Sequence, residues 1–240
     1  MRAAQGTDGP RYAIYFVPTA ETALYRFGSA VLGYDCYSGE RVPHPELDRS
    51  LSAAWLELTR TPRKYGFHAT LTAPFRLVRG AAESELVAQM NRLASIARPI
   101  ASLEPVVAAL GSFVAIVPRV QLSELDDIAA ACVTEFDRFR LPLTPQELQR
   151  RMTQGLSERQ KENLNRWGYP YVFNDFRFHM TLTGSLVSAV RETIVELLQG
   201  MFTRRCGNSL ISIDRVSLVR QDREDSPFQV VHQVPLYNDL

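Results

Sequence analysis

A six-residue phrase occurs twice in this chain, as Phe67-His68-Ala69-Thr70-Leu71-Thr72 and as Phe178-His179-Met180-Thr181-Leu182-Thr183, with only the third residue changed. Both copies are rich in β-branched and aromatic residues and alternate in character, so each reads as a strand with a two-residue side-chain period. That period puts His68, Thr70 and Thr72 on one face, and likewise His179, Thr181 and Thr183. The other face carries Phe67, Ala69 and Leu71, or Phe178, Met180 and Leu182, and suits a layer buried under helices. Around each copy the order is strand, helix, strand, strand. The expectation is an α+β fold: one domain over residues 1–240 of two pseudo-symmetric lobes, about 11–120 and 121–240. Two antiparallel sheets would oppose each other across a central groove, with the helices outside.

An imidazole with an unperturbed pKa near ~6.5 can hold or release a proton at cellular pH, and a neighbouring hydroxyl can hydrogen-bond an oxyanion. Two such strands facing one groove would put a general base on one side of a bound phosphorus and a general acid on the other. One strand histidine alone reads as a structural or surface residue; packing alone, however, needs no imidazole on both polar faces. His68 and His179 are therefore the candidate base and acid, with Thr70 and Thr181 for the phosphoryl oxygens. Thr72 and Thr183 are explained as well by the liking of threonine for strands. Arg177, two before His179, would share its face and could clamp a phosphate or else pair with a surface carboxylate. Its counterpart before His68 is Gly66, which leaves room. Tyr12, Tyr65 and Tyr171, with Tyr15, Lys64 and Tyr169, could line the groove against a sugar or base, the alternative for each being core or rim packing. His44 and His232 lack a threonine partner and read as structural.

The paired hydrophobic-His-x-Thr motifs resemble those of the two-histidine (2H) phosphoesterase superfamily, which includes RNA 2′,5′-ligase-like proteins and cyclic nucleotide phosphodiesterases. Longer stretches resemble one branch of it, the phosphonate-metabolism proteins encoded beside the carbon-phosphorus lyase machinery. These include Arg11-Tyr12-Ala13-Ile14-Tyr15-Phe16, Leu32-Gly33-Tyr34-Asp35, Leu143-Thr144-Pro145 and Trp167-Gly168-Tyr169-Pro170-Tyr171. The resemblance covers nearly the whole chain from Arg11 onward. It implies a metal-independent phosphodiesterase acting on a small cyclic phosphodiester, with a ribosyl 1,2-cyclic phosphate bearing a 5-phosphate as substrate and Arg177 or another arginine meeting that phosphate. Two alternatives stay open: an RNA-end enzyme acting on 2′,3′-cyclic or 2′,5′ linkages, and a noncatalytic phosphate-ligand binding module.

Composition narrows the partners. The formal net charge of +1 supplies no bulk basic field for long nucleic acid, though a small phosphorylated substrate is compatible with it. No P-loop, G-x-S-x-G or G-x-G-x-x-G is present. The histidines are too scattered for a metal site, and no cofactor is implied. Cys36, Cys132 and Cys206 form no C-x-x-C pair, which favours a reducing compartment. Neither an apolar leader nor a membrane-length apolar run occurs, so a cytoplasmic protein away from membranes is expected. Oligomeric state is left open. Residues 141–167 have no counterpart in the first half and read as a helical insertion, either a wall or lid of the pocket or a packed surface pair. A helix is expected over Ser185 to Leu198 with Val187, Val190, Ile194, Leu197 and Leu198 inward.

Overall fold

The computed structural model describes residues 9–236 except 48, 154 and 208. In chain order the elements are β1 (Arg11–Phe16), α1 (Ala23–Leu32), α2 (Arg49–Leu58), α3 (Arg60–Arg63), β2 (Ala69–Arg76), α4 (Glu83–Ala94) and β3 (Ile100–Leu103). There follow β4 (Pro105–Leu110), β5 (Phe113–Pro118), α5 (Ser123–Phe136), α6 (Pro145–Met152), α7 (Glu158–Trp167), β6 (Met180–Thr181), α8 (Ser188–Cys206), β7 (Ile211–Ile213), β8 (Arg215–Gln221) and β9 (Gln229–Pro235). Their ends follow local chemistry. Thr22 caps α1 by accepting the Tyr25 N–H, and Gly33 closes it in the left-handed conformation. In the insertion, Thr144 and Glu147 form a capping box with Pro145 at the first helical position, Ser157 and Gln160 form another, and Gly168 ends α7 at φ 71°.

The α+β architecture of antiparallel strands is as expected, but the two motifs meet differently. Among the described residues, seven strands join in one sheet in the order β4-β5-β6-β2-β1-β8-β9, while β3 and β7 form a separate pair. The motif strands β2 and β6 are direct antiparallel neighbours, Ala69 opposite Met180. They are paired edge to edge instead of facing each other from opposed sheets, and the pairing satisfies backbone groups that two free edges would leave open. The expected lobe bounds, 11–120 and 121–240, are crossed by the pairing of β1 with β8. The C-terminal hairpin β8–β9 returns to pair with β1, so the first group of strands takes both ends of the chain.

The core fills the helix-covered face: Ile14, Phe16, Phe67, Ala69, Phe178, Met180 and Leu182 are all buried. Phe67 lies flat against α1, where Gly28 replaces a side chain; a Cβ there would fall 2.1 Å from the Phe67 ring. The last helix begins at Ser188, later than expected, and buries Ile194, Leu198, Met201 and Phe202. Val187 and Val190 are exposed at 70% and 44%, while Leu186 before them is buried and fixes the chain to the core ahead of the helix. No helix among the described residues is long and apolar enough to cross a membrane.

Candidate active site

Continuing the β2–β6 register by one residue each way sets His68 opposite Thr181 and Thr70 opposite His179. Facing side chains in such a pair stand about 5 Å apart at Cβ and diagonal ones about 7 Å. The two imidazoles thus occupy one diagonal of a four-residue square and the two hydroxyls the other. All four line one cavity of about 380 Å³, together with Tyr15, Tyr65 and Tyr169.

Each imidazole is oriented in the same way. His68 Nδ1 donates to the carbonyl of Gly66 at 2.9 Å, and His179 Nδ1 donates to the carbonyl of Arg177 at 2.7 Å, the residue two positions earlier in both cases. This fixes the tautomer and leaves both Nε2 atoms as acceptors. Thr70 Oγ1 donates to His68 Nε2 at 3.0 Å. The His68 ring also stacks on Tyr15, centroids 3.7 Å apart and planes 19° from parallel. Phe113 packs against His179 at 5.6 Å. Such an arrangement can take a proton on one side of a tetrahedral group and return one on the other. Thr183 has a different duty: its buried hydroxyl accepts the Val114 N–H and donates to the Gly184 carbonyl, pinning the second motif to β5.

The other sequence candidates divide. Tyr65 lines the cavity and stacks on Phe228. Tyr171 is exposed beside Tyr169 in an adjoining groove. Tyr12 lies on the opposite face of β1 from Tyr15, buried beside Glu83 of α4, where burial and that carboxylate push its hydroxyl pKa up to about 12; it is no part of the groove. The strand period puts Tyr12 and Tyr15, three apart, on opposite faces. Arg177 does not share a strand face with His179, because β6 begins only at Met180 and residues 173–175 form a 3₁₀ turn. Its guanidinium bonds the Phe176 carbonyl at 2.7 Å, and Arg177 lines the adjoining groove, which His179 and Thr70 line from the histidine cavity side. Sequence reasoning underrated Tyr15 and Tyr169. The phrase Trp167-Gly168-Tyr169 after a helix-ending glycine was the available signal for the second.

Burial drives the His68 pKa down to about 4, helped by the nearby His179 and opposed by the Gly66 carbonyl; burial lowers His179 as well. Above pH ~6.5 His68 is neutral folded or unfolded. Between about 6.5 and 4 the unfolded chain binds a proton that the folded one refuses, so stability falls on acidification. Unfolding free energies from urea titrations at pH 7 and pH 5 should therefore differ by less in His68→Gln than in the parent, by up to about 2 kcal/mol. Equal differences would show that burial does not hold this ring neutral.

Residues 70–229 match a family described as protein of unknown function (DUF1045), which is two thirds of the chain and includes the whole second motif. The chain belongs to the DUF1045 family. Within the curated proteins, this DUF1045 chain is 36% identical over 231 residues to ribose 1,5-bisphosphate phosphokinase PhnN of Janthinobacterium sp. (strain Marseille), covering 94% of this chain and 50% of that one. It is also 36% identical over 177 residues to the protein of that name in Laribacter hongkongensis, covering 73% and 40%. The chain spans half or less of the length of these relatives. Among solved structures, E. coli LigT complexed with 3′-AMP aligns at TM-score 0.45 and 11% identity, over 96% of this chain and 100% of that one. A phosphoesterase aligns at TM-score 0.41 and 11% identity over the same shares. At that level of similarity the chemistry of the DUF1045 site rests on its own residues.

Proposed function

We propose that this DUF1045 chain is a phosphodiesterase that opens a small cyclic phosphodiester without a metal, with a (5-phospho)ribosyl 1,2-cyclic phosphate as the favoured substrate. The observation that carries the reading is the pair of imidazoles, oriented alike by carbonyls two residues back, each set against the other strand's threonine in one cavity. His68, the ring held neutral by burial, takes a proton from water as it attacks phosphorus. His179 protonates the departing sugar oxygen. A phosphodiester anion between the rings favours the imidazolium that this needs, by direct charge attraction. Thr70, its hydroxyl turned from His68 Nε2 so that this nitrogen is free for the water proton, and Thr181 hydrogen-bond the nonbridging oxygens as negative charge builds on them. The curated relatives' name supports a ribosyl phosphate setting. Their kinase activity is not proposed for this chain, which carries no P-loop.

A second reading has its own support. The groove beside His179, about 340 Å³, is lined by Phe113, Tyr169, Tyr171 and Phe173, rings on which a nucleobase could stack. Under that reading the substrate is a nucleoside or oligonucleotide 2′,3′-cyclic phosphate. Turnover of a panel of ribosyl and nucleoside cyclic phosphates in excess chelator decides. The expected result is fastest hydrolysis of the ribosyl 1,2-cyclic phosphate, unaffected by chelator. Preference for oligonucleotides would transfer the assignment to RNA ends, loss of activity with chelator would end the metal-free mechanism, and tight binding with no turnover of any of them would leave a binding module.

A further inference from the structure

A second pocket opens beside the histidine cavity, sharing Ala73, Pro74 and Tyr169 with it. It encloses about 100 Å³, several times the ~10–15 Å³ that admits one water. Its floor is β2 and its far wall the α6–α7 insertion. Five arginines line it against three carboxylates. Two of the five are matched: Arg76 pairs with Glu147 at 3.0 Å and Arg140 with Asp137 at 2.8 Å. Arg11, Arg150 and Arg151 have no carboxylate ion-pair partner among the described residues. Arg11 bonds the Gln221 amide oxygen and sits over the Phe228 ring, and Arg151 bonds the Gly168 carbonyl.

A second observation is independent of that charge count. Among the described residues, three buried side-chain polar atoms lack any hydrogen-bond partner, and two of them, Thr72 Oγ1 and Arg76 Nε, belong to residues lining this pocket. Thr72 is only 9% exposed. Unmade bonds of this kind are costly; both atoms are closed off from solvent, and a small turn of each side chain toward an anion in the pocket would make the missing bonds. Arg151 is also half-buried among like charges, with burial and the nearby Arg150 and Arg11 lowering its pKa against the pull of Glu147.

We propose that this pocket is the subsite for a phosphomonoester carried on the same substrate whose cyclic diester lies between the histidines. The assignment rests on the phosphodiesterase reading and deepens it: a substrate with two separate phosphate groups, held at both ends, with Tyr169 as the shared wall between them. Thr72 stands two residues along β2 from Thr70, about 7 Å of strand, which is the scale of one pentose between its phosphates. Guanidinium groups suit the planar, paired contacts that a phosphomonoester dianion offers. The subsite would select a doubly phosphorylated sugar over a nucleoside cyclic phosphate, which has nothing to place there.

Two measurements on the full chain test this. Calorimetry with ribose 5-phosphate should show binding to the parent, weakened about tenfold in Arg151→Gln and in Thr72→Val, while ribose fails to bind any of them. In kinetics, the ratio of kcat/KM for ribosyl 1,2-cyclic phosphate with and without the 5-phosphate should fall about tenfold in each variant, mostly through KM. Thermal melts identify any variant that loses its fold, and Arg11→Gln, at another arginine of the pocket wall, then replaces it, with the same weakening of binding and fall in the ratio expected. Binding of ribose 5-phosphate without turnover of any cyclic phosphate would overturn the phosphodiesterase reading and leave the subsite standing. Parent-like ratios and affinities in both variants, or no binding to the parent, would overturn the subsite and show the arginines to be a structural ion network.

Discussion

Alanine at His68 or at His179 is expected to lower kcat on a cyclic phosphodiester by about 10²–10⁴-fold, the range that a positioned acid or base supplies. The double variant should fall little further than the worse single one, because base and acid serve one transition state and act as a unit. KM should move far less than kcat: the phosphate oxygens still have Thr70 and Thr181, and the rings matter most where protons are in flight. The two variants should differ in stability. His68 is sandwiched against Tyr15 at 3.7 Å, so truncation there leaves a void beside a buried ring, whereas His179 meets Phe113 only at 5.6 Å. A lower melting temperature is therefore expected for His68→Ala alone. Turnover within threefold of the parent in both single variants would remove the imidazoles from the mechanism.

The repeated phrase carried most of what the sequence could say about the site. Alternation along a strand does not depend on the rest of the fold, so His68 with Thr70 and His179 with Thr181 were legible as matched pairs, and they do share a cavity. The same rule misled where the chain is not a strand. Arg177 follows a 3₁₀ turn whose first residue, Phe173, has φ 51°, so counting back two residues from His179 says nothing about its face. Thr72 was placed with His68, yet the β1–β2 register shifts twice, between the partners of Tyr12 and Ile14 and again between those of Ile14 and Tyr15. Such bulges re-aim the side chains beyond them, and Thr72 lines the arginine pocket instead. That pocket gathers Arg11, Arg76 and Arg151 from β1, β2 and α6, three segments far apart in the chain, and no spacing could reveal it. Which edge the β8–β9 hairpin joins is likewise decided by packing against β1, a partner at the far end of the chain that no local pattern names.

The conformation of Gly66 is the most exposed link between fold and site, and Gly66→Ala should break it. Gly66 has φ +71°, and a Cβ there would lie 2.7 Å from the Cβ of Cys36, closer than such atoms approach. The left-handed conformation alone costs an L residue about 1–2 kcal/mol. Cys36 has little freedom to retreat: its N–H donates to the Tyr25 hydroxyl at 3.0 Å and its carbonyl accepts the Val230 N–H at 2.8 Å. The strain must then be relieved at Gly66 itself, and the Gly66 carbonyl is what holds His68 Nδ1. A total destabilisation on the order of 2–4 kcal/mol is expected, read from the urea midpoint. A drop in kcat on the order of 10²-fold should accompany it, since displacing a catalytic ring by about 1 Å costs that much. Gly80→Ala supplies the comparison, because Gly80 also has a left-handed φ, +89°, but nothing within 4 Å of a Cβ. It should lose about 1 kcal/mol of stability and none of the turnover. If Gly66→Ala is destabilised yet keeps the parent kcat, the carbonyl does not position His68, and the matched orientation of the two imidazoles is a by-product of the strand ends.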